Sequence, residues 1–171
     1  MTKFVKFAAL AATVLATTPA LAAPVGVTGA PPSATARIIR PLSLTSTGSL
    51  NFGTIVLNGV TANRTVALSS ANVLTCGGTT ELQCSGTTSV PTYNVRGTNN
   101  QVVTIIKTAS NLTNAQDGSI LSMTPTGAAS VTLTNSGAPG LDFNIGGSIV
   151  IGAATTDGVY SGTVNVQVDY Q

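Results

Sequence analysis

The chain has 171 residues, a formal net charge of +2 and only 7% charged residues, far below the roughly 25% of an ordinary soluble domain. It has no histidine, which removes the commonest general base and every Ser-His or Cys-His nucleophile pair. Its basic residues form no stripe, so no nucleic-acid partner is expected.

The first segment reads as a secretory signal peptide, residues 1–22. Lys3 and Lys6 charge its start, Phe7 to Ala16 form a short apolar core, and Ala20-Leu21-Ala22 is a small-x-small cleavage site. That core is shorter than the about 20 residues a membrane-spanning helix needs. The alternative is a hydrophobic first helix of the folded domain. The Ala-rich style resembles a Sec signal of a Gram-negative bacterium, which implies export to the periplasm, the outer cell surface or beyond. No second long apolar run follows, so the mature protein is not expected to span a membrane. Without Lys3 and Lys6 the charges balance: Arg37, Arg40, Arg64, Arg96 and Lys107 stand against Glu81, Asp117, Asp142, Asp157 and Asp169. A net charge near zero weakens self-repulsion and favours association. The remaining length, about 149 residues, suits one domain with a real core.

Residues 23–33 are rich in Gly and Pro and read as a flexible arm. The domain proper is expected over 34–171. Ala34 to Thr45 should be mostly extended, with Ala34, Ala36, Ile38, Leu42 and Leu44 on one parity, and Pro41 confining it to an edge or a bend. Leu50 to Leu57 predicts a second strand, bent or bulged at Gly53, and Arg64 to Thr75 a third. Thr92 to Gly97 and Gln101 to Thr108 bracket Thr98-Asn99-Asn100, which reads as a hairpin loop. Strands follow at Ser119 to Thr124 and Ser130 to Thr134. Phe143 to Gly152 holds another, split by Gly146-Gly147.

The last fourteen residues carry the clearest pattern. Tyr160, Val164, Val166, Val168 and Tyr170 share one parity, while Ser161, Thr163, Asn165, Gln167 and Asp169 share the other. Successive strand side chains point to opposite faces, so this segment has one apolar and one wet face. The apolar residues line either a core face or a groove for strand exchange, because a final strand leaves an edge that must find a partner. No window shows a capped 3.6-residue period, so almost no helix is expected. Eight or nine short, mainly antiparallel strands divided by Gly, Asn, Asp and Pro predict an all-β sandwich.

Candidate chemistry is sparse. Cys76 and Cys84 enclose seven residues and, in an exported chain, read as a structural disulfide. Their spacing is not that of a redox or zinc pair. The carboxylates are scattered, and turn chemistry explains Asp117-Gly118 and Asp157-Gly158. Gly146-Gly147 lacks the Lys and helix of a phosphate loop, and no acidic run suits calcium. No cofactor, metal or catalytic residue is expected. Asn63-Arg64-Thr65 and Asn111-Leu112-Thr113 match the N-glycosylation pattern.

Two blocks carry a family resemblance. Pro41-Leu42-Ser43-Leu44-Thr45 and then Leu50-Asn51-Phe52-Gly53-Thr54-Ile55 resemble the opening strands of a secreted bacterial family, domain of unknown function 4402. Gly146-Gly147 before an apolar strand, and Gly158-Val159-Tyr160-Ser161-Gly162-Thr163 before the alternating tail, are similar to its end. More distantly the blocks resemble archaic chaperone–usher pilins and spore coat U proteins, although Gly162 stands where the pilins carry Asp and their first-strand Cys is absent. The resemblance implies a secreted, immunoglobulin-like, pilin-like sandwich without catalysis, with a structural or adhesive surface role as a fimbria-like subunit. The alternative is a monomeric extracellular module that binds glycans. Pilin-like partners would be copies of itself, other surface subunits and a periplasmic chaperone. The arm, through Ala34, Ala36 and Ile38, would then donate a strand to a neighbour or complete its own domain.

Overall fold

The structure, a computed structural model, describes residues 22–78 and 80–171. The expected signal peptide falls outside the described residues, apart from Ala22. The chain divides into two units, one ending at Arg37 and one spanning Ile38–Gln171. Residues 22–37 are exposed and hold no strand or helix. The extended reading of Ala34 to Thr45 therefore holds as a strand only from Ser43, because no strand pairs with the described backbone before it.

All regular structure among the described residues is β. The strands are β1 (Ser43–Thr47), β2 (Thr54–Leu57), β3 (Arg64–Leu68), β4 (Leu74–Cys76), β5 (Leu82–Ser85), β6 (Thr92–Arg96) and β7 (Val102–Thr108). They continue as β8 (Ser110–Asn114), β9 (Ile120–Thr126), β10 (Ser130–Thr132), β11 (Leu141–Asn144), β12 (Gly146–Ile151), β13 (Tyr160–Ser161) and β14 (Asn165–Tyr170). Every pairing is antiparallel. The fourteen segments exceed the eight or nine expected because bends cut longer strands in two.

Those breaks follow from local chemistry. β1 and β2 act as one strand against β6 and β5. Leu44 faces Val95, Ile55 faces Cys84, and an Asn51–Ser89 bridge joins the two ladders. The bend falls at Gly53, whose φ of 77° suits glycine, as its sequence position predicts. β7 and β8 likewise run on as one strand, paired to β14 and β10 and then to β13 and β9. β11 pairs with β6, but after Ile145 the chain changes layers, and β12 pairs with β9 and β3. Gly146 sits at that crossover, where a Cβ would strike the backbone of Leu68, Ser69 and Ser70. The predicted split thus falls at Ile145, and Gly146 opens the second half rather than bending it.

Two sequence expectations change. Arg64 to Thr75 is a hairpin, β3 and β4, turned at Ser69–Val73 through mutual hydrogen bonds. Thr98-Asn99-Asn100 is not a hairpin loop, since β6 and β7 lie in different sheets. Tyr93 and Val95 face the same core as Val103 and Ile105, so the loop arches between layers instead of joining neighbours. Asn100 supplies the turn with φ of 58°.

The result is a two-layer sandwich with two cores. One core gathers Phe52, Val66, Leu68, Leu82, Leu121, Met123, Ile149 and Ile151 between the six-stranded sheet β13-β8-β9-β12-β3-β4 and the pair β2-β5. The other gathers Tyr93, Val95, Val103, Ile105, Leu133, Phe143 and Ile145 between the sheets β1-β6-β11 and β10-β7-β14. Within it the rings of Tyr93 and Phe143 stack with centroids 5.5 Å apart.

Candidate functional site

The alternation of the last strand is realised residue by residue. Tyr160, Val164, Val166, Val168 and Tyr170 are half-buried, and the residues between them are exposed. Tyr160 packs on the first core, Val164 on both, and Val166, Val168 and Tyr170 on the second. Along the ladder Val168 faces Ile105 and Tyr170 faces Val103. Val168 and Tyr170 are less buried than Ile105 and Val103 opposite them, because β14 has a strand on one side only. Its sheet ends there in the order β10-β7-β14.

β1 ends the facing sheet in the same way, in the order β1-β6-β11. Leu42 and Leu44 pack half-buried on the same core as Val166, Val168 and Tyr170. The Tyr170 hydroxyl ties the two edges at one end. It donates to the Arg40 carbonyl at 2.7 Å and accepts from the Thr98 N–H at 2.8 Å. Gly97 makes room for this hydroxyl, since a Cβ there would collide with it and come within 2.9 Å of Leu133 and Leu42. The Tyr93 hydroxyl reaches the Val164 carbonyl at 3.5 Å, and burial raises its pKa above 10.0. Two unpaired strand edges therefore flank one incompletely covered apolar row.

The arm residues stand apart from any ladder. Ala34, Ala36 and Ile38 are exposed, Ile38 to 89%, and the described chain pairs none of them with β1 or β14.

The opposite end is tightly tied. Cys76 on β4 and Cys84 on β5 form a disulfide with Cα atoms 5.9 Å apart, as the spacing predicts. It joins the edge of the six-stranded sheet to the β2-β5 pair. Beside it the Arg64 Nε donates to Glu81 at 2.7 Å and the Thr61 hydroxyl donates to the other carboxylate oxygen at 2.7 Å. The Arg64 guanidinium, and then the Thr61 hydroxyl, hold the Glu81 carboxyl below 4.5.

The loop before β13 is held by a polar cluster that sequence reading does not find. Asn114 is 2% exposed. Its amide donates to the Asp157 carbonyl at 2.9 Å and its oxygen accepts from the Gln116 N–H at 3.0 Å. The hydroxyls of Ser119, Thr156 and Tyr160 lie 2.7–3.0 Å apart. Burial raises the Tyr160 pKa, but hydrogen bonds from Ser119, Thr156 and Asn114 outweigh it and leave it lowered. Asp117 accepts from the Ser119 N–H, which lowers its pKa and closes the turn read from Asp117-Gly118. Every partner in this cluster is spent on loop structure.

Three of the carboxylates are engaged in structural contacts. Glu81 binds Arg64, Asp117 caps a turn, and Asp142 accepts from Asn94 at 2.6 Å. No group of three metal-ligating side chains occurs among the described residues. No described aromatic ring is exposed: Phe52, Tyr93 and Phe143 are buried, and Tyr160 and Tyr170 half-buried. No described helix is long and apolar enough to cross a membrane.

A family model described as Domain of unknown function (DUF4402) matches residues 42–170. Neither the curated proteins nor the solved structures give a match to this chain. The matched region starts at Leu42 and stops at Tyr170, which meet beside Gly97.

Proposed function

We infer that this chain, which belongs to the family of domain of unknown function DUF4402, is an exported structural or adhesive protein without enzymatic activity. It assembles at the cell surface, in the manner of a fimbrial subunit. The observation that carries this reading is the pair of unpaired edges, β1 and β14, on either side of half-buried Leu42, Leu44, Val166, Val168 and Tyr170. Unpaired strand edges recruit strands, and an added strand gains main-chain hydrogen bonds while its alternate side chains fill pockets. The arm of a neighbouring copy supplies that strand, with Ala34, Ala36 and Ile38 at the two-residue spacing that places them on one face. A formal charge balance in the exported chain keeps copies from repelling one another. The leader and the Cys76–Cys84 disulfide both suit export from a Gram-negative cell into an oxidising compartment. Partners are copies of itself or other surface subunits, with a periplasmic chaperone covering the edges before assembly. A glycan-stacking role gains little support, since three of the five described rings are buried and the other two half-buried.

Deleting Pro24 to Ile38 tests the reading. The truncated protein is expected to fold with its disulfide intact and to lose polymer formation. A truncated monomer that no longer folds would make the arm part of its own domain and end the donor-strand account.

A further inference from the structure

A second feature lies where β1 begins. A pocket of about 330 Å³ is lined by Arg40, Leu42, Ser43, Arg96, Gly97 and Gly137, among others. The exported chain has five basic side chains, and two of them border this one pocket. No acidic residue lines it. Arg64 is ion-paired to Glu81 and Lys107 donates to the Ala128 carbonyl. Arg40 and Arg96 have no carboxylate in ion-pair range among the described residues.

Both arginines are seated by one loop, Gly137-Ala138-Pro139-Gly140. A Cβ on Gly137 would lie 3.4 Å from the Arg40 guanidinium, and one on Gly140 would lie 2.7 Å from the Arg96 stem. The two glycines have φ of 84° and 88°, so the loop's shape and the room for the arginines come from the same residues. Arg96 is also aimed. Its Nε donates to the Asn94 oxygen at 3.0 Å, and the Asn94 amide donates to Asp142 at 2.6 Å and to the Pro139 carbonyl at 3.2 Å. That chain occupies Nε and leaves the terminal nitrogens of Arg96 for another acceptor. Planar guanidinium groups bind oxyanions through paired, charge-assisted hydrogen bonds.

We propose that Arg40 and Arg96 form an oxyanion site for a small ligand bearing a carboxylate or sulfate group. Its size suits a monosaccharide-sized group, and Ser43 on its wall suits a ligand hydroxyl. Leu42 of the apolar row also lines this pocket, but the charged groups lie outside that row, so the proposal does not rest on strand exchange.

The test is a titration of the exported protein at low ionic strength with glucuronate, sodium sulfate and neutral glucose, followed by backbone amide shifts. Saturable shifts at Arg96, Gly97 and Gly137 are expected with the two anions and not with glucose. The tighter anion identifies the source, an acidic sugar or an inorganic oxyanion. Arg40→Gln and Arg96→Gln are each expected to weaken binding about tenfold or more, the loss of a charge-assisted hydrogen bond. Arg40 is exposed and its backbone carries its bonds to the rest of the fold, so Arg40→Gln stays folded even if Arg96→Gln does not. Added sodium chloride should weaken binding as well. Shifts that do not saturate, equal shifts with glucose, or unchanged binding in Arg40→Gln would overturn the proposal.

Discussion

The two cores are built from the same kind of strand, yet one is cross-linked between its layers, the closed side, and the other is held along its edge by hydrogen bonds alone, the open side. Around Leu68 and Met123 the layers are locked by the Cys76–Cys84 bridge and the Arg64–Glu81 pair. Around Val103 and Ile105 the layers end in β1 and β14, and one tyrosine hydroxyl at Tyr170 joins them. Alternation along a strand sets which residues face inward. What lies beyond the edge strand decides whether that face becomes core or groove.

Truncation should separate the two regions first. Leu68 is fully buried, and Leu68→Ala is expected to cost about 2–5 kcal/mol by lost burial and a cavity. Val168 is half-buried, and Val168→Ala should cost about 1 kcal/mol or less in the monomer. Equal losses in denaturant unfolding would mean that the open side is as well covered as the closed one. The difference should shrink in polymers, where an inserted strand would bury Val168.

Replacing Cys76 and Cys84 together with serine should cost about 2–3 kcal/mol, from the entropy of so short a loop. Thermal unfolding with and without reductant measures this. The loss should fall on the closed half, so hydrogen exchange should rise at β4 and β5 before β14. Uniform loosening would remove the distinction between the halves.

Tyr170→Phe deletes the bond to Arg40 beside β1 and the bond from the Thr98 arch, and about 1–2 kcal/mol should be lost. The Thr98 amide, left without its acceptor, should exchange faster. If it does not, the hydroxyl is no latch and β1 is held by packing alone.

Much of the open side is legible in the sequence, because a period of two survives in residues 160–170 whatever lies around them. The disulfide is legible too, since two cysteines in a chain that reads as exported have one pairing. The layer changes are not. Thr98-Asn99-Asn100 has the composition of a hairpin loop, and only long-range pairing of β6 with β1 and β11 makes it an arch. β5 and β8 escape notice because Leu82–Ser85 and Ser110–Asn114 are short and mostly polar. The arginine pocket is hidden for a similar reason: Gly137-Ala138-Pro139-Gly140 reads as a turn, and nothing local places Arg40 and Arg96 upon it.

The smallest expected effect lies in the closed half. The Glu81 carboxyl titrates below 4.5 in the folded protein. Its contribution is therefore present above its unfolded value and fades as pH falls through 4.5 toward the folded value. Being at the surface, it is modest. Glu81→Gln should flatten this part of the acid stability profile, and an unchanged profile would show that the disulfide alone locks this end.

The open side itself is tested most directly by the mass of the folded protein, unboiled on a denaturing gel and in solution by light scattering. The account predicts a ladder of multiples that collapses to one band on heating. A single monomer, with its disulfide intact, at every concentration would contradict it.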